Sequence, residues 1–166
     1  MNELMLAQKQ EIEECYKIIE MGRAFQKEQG FQQWTEDYPN LATLRQDVME
    51  AKGYVIKVDG KIAGYMCIDF AGEPAYNNIE GAWRTAEPYA VVHRMAFSSA
   101  FRGMGLSGIT FNLIEELCLA NGVNSIRVDT DFANLRMQHV LEKLGFAKCG
   151  VIVFQGSGKV AYDKSF

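Results

Sequence analysis

Apolar positions recur along the 166-residue chain with two periods, one helical and one of two residues. Ile12, Cys15, Tyr16, Ile19 and Phe25 form a helical stripe over 10–27, with Gly30 as its stop. Leu41, Leu44, Val48 and Ala51 mark a second helix that closes at Gly53. Leu106, Ile109, Thr110, Leu113, Ile114 and Leu117 mark a third, ending at Asn121-Gly122. Met137, Val140, Leu141 and Leu144 mark a fourth over 135–144, with Thr130 or Asp131 as its cap and Gly145 as its end. Short strand-like runs fall at 3–7, 54–58, 62–70, 89–97, 125–129, 147–154 and 160–166. Asp59-Gly60 is a hairpin turn, and Gly156-Ser157-Gly158 turns the last two strands. The stretch 71–83 is less regular, and no repeat or domain boundary interrupts 1–166. The pattern therefore predicts a single α/β domain with about seven strands and about four helices.

Composition narrows the class without choosing a chemistry. An apolar fraction of 48% and a charged fraction of 23% suit a soluble globular domain with a sizeable core. A net charge of −4 argues against a nucleic-acid partner. No apolar run is long enough to cross a membrane, and Met1-Asn2-Glu3-Leu4 lacks the basic start of a secretory signal. Cys15, Cys67, Cys118 and Cys149 are scattered and form no Cys-x-x-Cys, which reads as reduced thiols in a cytoplasmic protein. With His93 and His139 the only histidines, no metal site is expected.

The chemistry-bearing stretch is Arg102-Gly103-Met104-Gly105-Leu106-Ser107-Gly108, between a strand and the third helix. A glycine-rich turn that opens a helix exposes unpaired amides at the positive end of the helix dipole, an anion site in the making. Gly103, Gly105 and Gly108 also match the dinucleotide fingerprint, with Asp129 at the acidic position. That fingerprint belongs near the start of a doubly wound sheet, however, and here it follows two-thirds of the chain. Arg102-x-x-Gly105-x-Ser107 instead resembles the acyl-CoA loop of the GNAT N-acetyltransferases, (Arg/Gln)-x-x-Gly-x-(Gly/Ala), with Ser107 a small departure. Asn134-x-x-Met137-x-x-x-Leu141-x-Lys143-x-Gly145-Phe146 resembles a second segment of that family, and the order of elements matches throughout.

The resemblance implies a mixed central sheet that splays between its fourth and fifth strands, and acetyl-CoA as the acyl donor. It implies that backbone groups of Met95 and Phe97 hold the pantetheine arm and polarise the thioester. The amides of Arg102, Gly103, Met104, Gly105, Leu106, Ser107 and Gly108 would take the pyrophosphate, and Asn134 would reach the cofactor from the next helix. The family's frequent acid is a tyrosine where this chain has Leu141, so the thiolate leaves unaided or Tyr76, Tyr89, Cys149 or Tyr162 serves. Glu80 and His93 are the candidate bases, and Arg94, on the other face from His93, is expected to pair with a carboxylate on a neighbouring strand. Gln33, Trp34 and Trp83 are the candidate acceptor contacts. The expected reaction is direct transfer of acetyl to a primary amine of a small molecule, amino acid or peptide. Acetylation of protein N-termini and non-catalytic acyl-CoA binding are the alternatives. The apolar C-terminal hairpin, Val151 to Phe166, offers a strand edge for a homodimer.

Overall fold

The structure is a computed structural model that describes residues 1–166. Its strands are β1 Asn2–Leu6, β2 Gly53–Val58, β3 Lys61–Asp69, β4 Glu80–Gly81, β5 Ala90–Phe97, β6 Ser125–Thr130, β7 Ala147–Phe154 and β8 Ser157–Ser165. Its helices are α1 Ile12–Glu28, α2 Leu41–Met49, α3 Leu106–Ala120 and α4 Leu135–Lys143. One eight-stranded sheet runs in the order β1-β2-β3-β5-β6-β8-β7-β4. All the described pairings are antiparallel except β5 with β6, which is parallel. That parallel ladder consists of Ala90↔Ile126 and Val91↔Arg127. Val92–Phe97 lie outside it.

The chain packs as two compact units, Met1–Ile68 with His93–Leu113, and Asp69–Val92 with Ile114–Phe166. In the first, Ile12, Cys15, Ile18 and Ile19 of α1 and Leu44 of α2 pack on Val55, Tyr65 and Ala96 of the sheet. Each fully buried aliphatic side chain there contributes roughly 1.5–3 kcal/mol. Asn40 starts α2 with a reciprocal cap: its side chain accepts from the Thr43 amide at 2.9 Å, and the Thr43 hydroxyl accepts from the Asn40 amide at 3.2 Å. Asp59 and Gly60, at φ 50° and 82°, close the β2–β3 hairpin as a left-handed pair. In the second unit, Tyr76, Tyr89, Val91, Ile152 and Ala161 form the core.

Several boundaries differ from the pattern-based expectation, each for a physical reason. The eighth strand is the two-residue β4, which pairs Glu80↔Val151 and Gly81↔Gly150. A side chain at Gly81 or Gly150 would collide with the facing backbone, so only glycine permits this approach. Asn134, not Thr130 or Asp131, caps α4, because its side chain accepts from the Met137 amide at 3.1 Å. Asp131 instead accepts from Ala133 N within the preceding turn. Gly53 opens β2 rather than closing α2, which ends at Met49. The last hairpin turns at Gln155–Gly156, with φ 52° and 75°, so Ser157 and Gly158 already belong to β8. β8 lies between β6 and β7, so the final strand offers no edge for a partner; the outer side of β7 is met by β4 at Gly150 and Val151.

Candidate active site

The site is built where β5 leaves the sheet, in the first unit. Ser98 ends the strand, its hydroxyl accepting from the Ala100 amide, and a short 3-10 turn over Ser99–Phe101 follows. Arg102 is extended, Gly103 and Gly105 take left-handed φ of 79° and 70°, and α3 begins at Leu106. Leu106, 6% exposed, is anchored in the core, and the Ile109 amide bonds back to the Gly105 carbonyl in the helix's first turn. The helix dipole therefore starts directly behind the glycine turn. A Cβ built on Gly103 or Gly105 would meet nothing within 4 Å, so the backbone is open to close approach on that side.

Arg102 fixes this loop to α1. Its Nη2 donates to the Met21 carbonyl at 3.2 Å, and its guanidinium carbon lies 3.9 Å from the centre of the Phe25 ring. The Ser99 amide meets the Met21 sulfur at 3.5 Å. Five residues before Arg102, Phe97 packs against Gly64, where a Cβ would meet its ring at 2.7 Å.

Arg94 occupies a left-handed φ of 56° in the interior of β5, a conformation that non-glycine residues rarely adopt. Its Nε and Nη2 donate to the two Asp47 carboxylate oxygens at 3.0 and 2.6 Å, and Nη1 donates to the Tyr38 hydroxyl at 2.6 Å. The Tyr65 hydroxyl donates to Asp47 Oδ2 at 2.7 Å. Burial opposes the charge on Arg94, but its neighbours Cys67, Asp47 and Tyr38 outweigh it and hold the guanidinium pKa above its ordinary value. The carboxylate comes from α2, not from the neighbouring strand that the sequence suggested.

The remaining candidates stand as follows. His93 is half-buried on β5, beside Arg94. Trp34 is 7% exposed, its ring against Gly22 and Ala96 and its amide bonded to Gln26 Oε1, so it is a core anchor. Gln33, next to it, is half-buried. In the second unit Glu80 is exposed on β4. Trp83 donates from Nε1 to the Tyr76 carbonyl at 2.9 Å and stands beside the Arg127 guanidinium at 4.7 Å. Asn134 spends its side-chain oxygen on the α4 cap.

Tyr76, Cys149 and Tyr162 are made weaker acids by their surroundings. Burial and a bond to Asp129 push the Tyr76 phenol well above its usual range. Burial and Glu142 push Tyr162 up to about 12, and burial pushes the Cys149 thiol up to about 11. Leu141 is 1% exposed and only packs.

Asp47 and Tyr65 are missing from the sequence-based site. A signal for Asp47 was present: it lies three residues after Leu44 and four before Ala51, on the apolar face of α2, where a carboxylate needs a cation. Its partner, 47 residues away, carried no local mark.

The sequence profile of the acetyltransferase (GNAT) family matches residues 12–146, and the chain belongs to that family. A GNAT-family acetyltransferase from Streptococcus agalactiae superposes with a TM-score of 0.89 at 33% identity, over 99% of this chain and 95% of the other. One from Listeria monocytogenes gives 0.78 at 20% identity, over 99% and 95%. The aminoglycoside acetyltransferase AAC(6')-Ib, solved with ribostamycin and coenzyme A, gives 0.72 at 20% identity, over 99% and 93%. A search of curated proteins found no match. The protein is thus an acetyl-CoA-dependent acetyltransferase. The residues present fit that donor, because the two left-handed glycines leave the turn before α3 open on the side a side chain would fill. No helix is long and apolar enough to cross a membrane.

Proposed function

We propose that the protein moves an acetyl group from acetyl-CoA to the primary amine of a small molecule, amino acid or peptide by direct attack. The observation that carries the reading is the open glycine turn at the positive end of α3, which starts nine residues beyond the distorted backbone of β5 at Arg94 and is held to α1 by Arg102. Acetyl-CoA supplies an activated acyl group on a thiol leaving group. The amides of Arg102 to Gly108 hold its pyrophosphate, with Asn134 a further contact, and the backbone of Met95 and Phe97 directs the thioester arm. His93 and Glu80 are the candidate bases that accept the ammonium proton. Gln33 offers the acceptor a polar contact, with Trp34 packed behind it, and Trp83 is the candidate in the second unit. A small amine is favoured by the likeness of the fold to an aminoglycoside acetyltransferase. Four cysteines outside any disulfide suit a reducing, cytoplasmic setting, and residues 1–166 act as one acyltransferase domain.

The test is a thermal-shift titration with acetyl-CoA, CoA and NAD, followed by a panel of amines scored for release of free thiol. Ligand at about 100 times its dissociation constant stabilises by roughly 2.7 kcal/mol, a rise on the order of 5–10 °C for a chain of this size. Gly105→Glu should abolish the shift with acetyl-CoA; the left-handed φ of 70° costs the variant about 1–2 kcal/mol, so its unliganded melting is recorded alongside. No shift with any CoA species overturns the reading, and binding without amine-dependent thiol release favours a non-catalytic module.

A further inference from the structure

We propose that Asp47 is a positioning residue for acetyl transfer, acting through the Arg94 guanidinium to hold β5 in its left-handed step and so to aim the backbone amides that follow it. The inference rests on the reading that the backbone of Met95 and Phe97 directs the thioester.

Arg94 is not a glycine, yet its φ is 56° inside an eight-residue strand. Such a step is strained for any residue with a Cβ, and it persists only where its surroundings determine it. Three elements do so. The planar fork of Arg94 closes on both oxygens of Asp47 from α2. The Tyr38 hydroxyl, from the loop before α2, accepts a hydrogen bond from Nη1, and the Tyr65 hydroxyl from β3 donates to Asp47 in turn. Asp47 is 5% exposed and Tyr65 fully buried, so solvent does not loosen the arrangement. A buried ion pair is a poor device for stability alone, because well-packed apolar side chains serve as well or better. Holding one strained backbone geometry is a task that apolar packing does not perform. The amide that the step reorients belongs to Met95, the first of the two residues assigned to the thioester arm.

The experiment compares the wild-type protein, Asp47→Asn, and the double variant Asp47→Leu with Arg94→Met. The double variant replaces both charges by apolar groups, so a folded protein without the tether remains available if Asp47→Asn unfolds. Four quantities are read: CoA affinity, acetyl-CoA affinity, kcat with a fixed amine, and the carbonyl stretch of bound acetyl-CoA labelled with carbon-13. In the folded variants CoA should still bind through the untouched glycine turn, with a loss of affinity much smaller than the loss in kcat. kcat should fall by about 100-fold, the scale of a small misplacement of reacting groups, and the carbonyl stretch should return toward its solution value. A folded variant with wild-type kcat and an unshifted carbonyl band overturns the inference alone. Failure of the wild-type protein to bind acetyl-CoA, or to perturb its carbonyl, overturns the parent reading and this one with it.

Discussion

The Arg102 guanidinium carbon lies 3.9 Å from the centre of the Phe25 ring, while Nη2 of the same group donates to the Met21 carbonyl at 3.2 Å. One arginine therefore ties the glycine turn to the last turns of α1. A cation held over an aromatic face contributes about 0.5–2 kcal/mol. Phe25→Ala should release the turn, which must then be ordered when the cofactor binds. CoA affinity should fall about 2- to 30-fold in isothermal titration. Arg102→Lys keeps the charge but loses the planar stack and should fall in the same range. Wild-type affinity in both variants would mean that the turn is ordered without α1.

Gly64 lies on β3, beneath the end of β5. A Cβ there would stand 2.7 Å from Phe97 Cδ1, 2.8 Å from Ile56 Cγ2 and 3.0 Å from the Ala96 carbonyl oxygen. The Phe97 ring can turn, but the Ala96 carbonyl is backbone and can yield only if β5 moves. Gly64→Ala should cost about 1–3 kcal/mol in urea denaturation. It should also lower kcat more than a control of equal instability elsewhere, because the displaced strand carries the proposed thioester contacts. Equal kcat losses in the two variants would leave Gly64 a packing residue only.

The helices were legible because their apolar stripes are long: α1 and α3 begin and end within two residues of where periodicity and glycines put them. The Asp59–Gly60 hairpin was legible because a left-handed pair needs that chemistry. β4 was not, since a two-residue strand has no period, and its partner Gly150 lies far along the chain. The glycine turn was visible as a local motif. The clamp on Arg94 was legible only in part: Arg94 and Asp47 each showed the need for a partner of opposite charge, but nothing local shows that they pair with each other or that Tyr38 and Tyr65 complete the cluster.

The cysteines give a chemical test of the cores. Burial, with Glu11 and Glu14 adding, pushes the Cys15 thiol up to about 12, burial and Glu115 push Cys118 up to about 12, and burial pushes Cys149 up to about 11. Cys67 is 1% exposed. Thiolate is the reactive form, so at pH 8 the folded protein should react slowly with a disulfide reagent. After denaturation in guanidinium all four thiols should titrate at once. A fast-reacting thiol in the folded protein would mark a local opening, and mass mapping would identify the segment.

Glu11 joins β2 to the start of α1 through its two oxygens. Oε1 accepts from the Gln8 amide at 2.8 Å, and Oε2 pairs with Lys57 at 2.8 Å. Burial raises its pKa, but the Lys57 bond, the Gln8 amide and the Lys57 charge together outweigh burial and leave it below the ordinary value. A carboxyl with a depressed folded pKa stabilises the protein above its unfolded pKa, and that contribution is lost as pH falls through the folded value. Glu11→Gln keeps a carbonyl for the Gln8 amide and removes only the charge. The variant should be less stable than wild type by about 0.2–1 kcal/mol at pH 7, the range of a partly exposed ion pair. The gap should close as the pH falls through the depressed pKa, where wild-type Glu11 is itself neutral. Urea denaturation at pH 7 and in mild acid measures both points. A gap of the same size at both would assign the effect to the cap geometry rather than to the Lys57 charge.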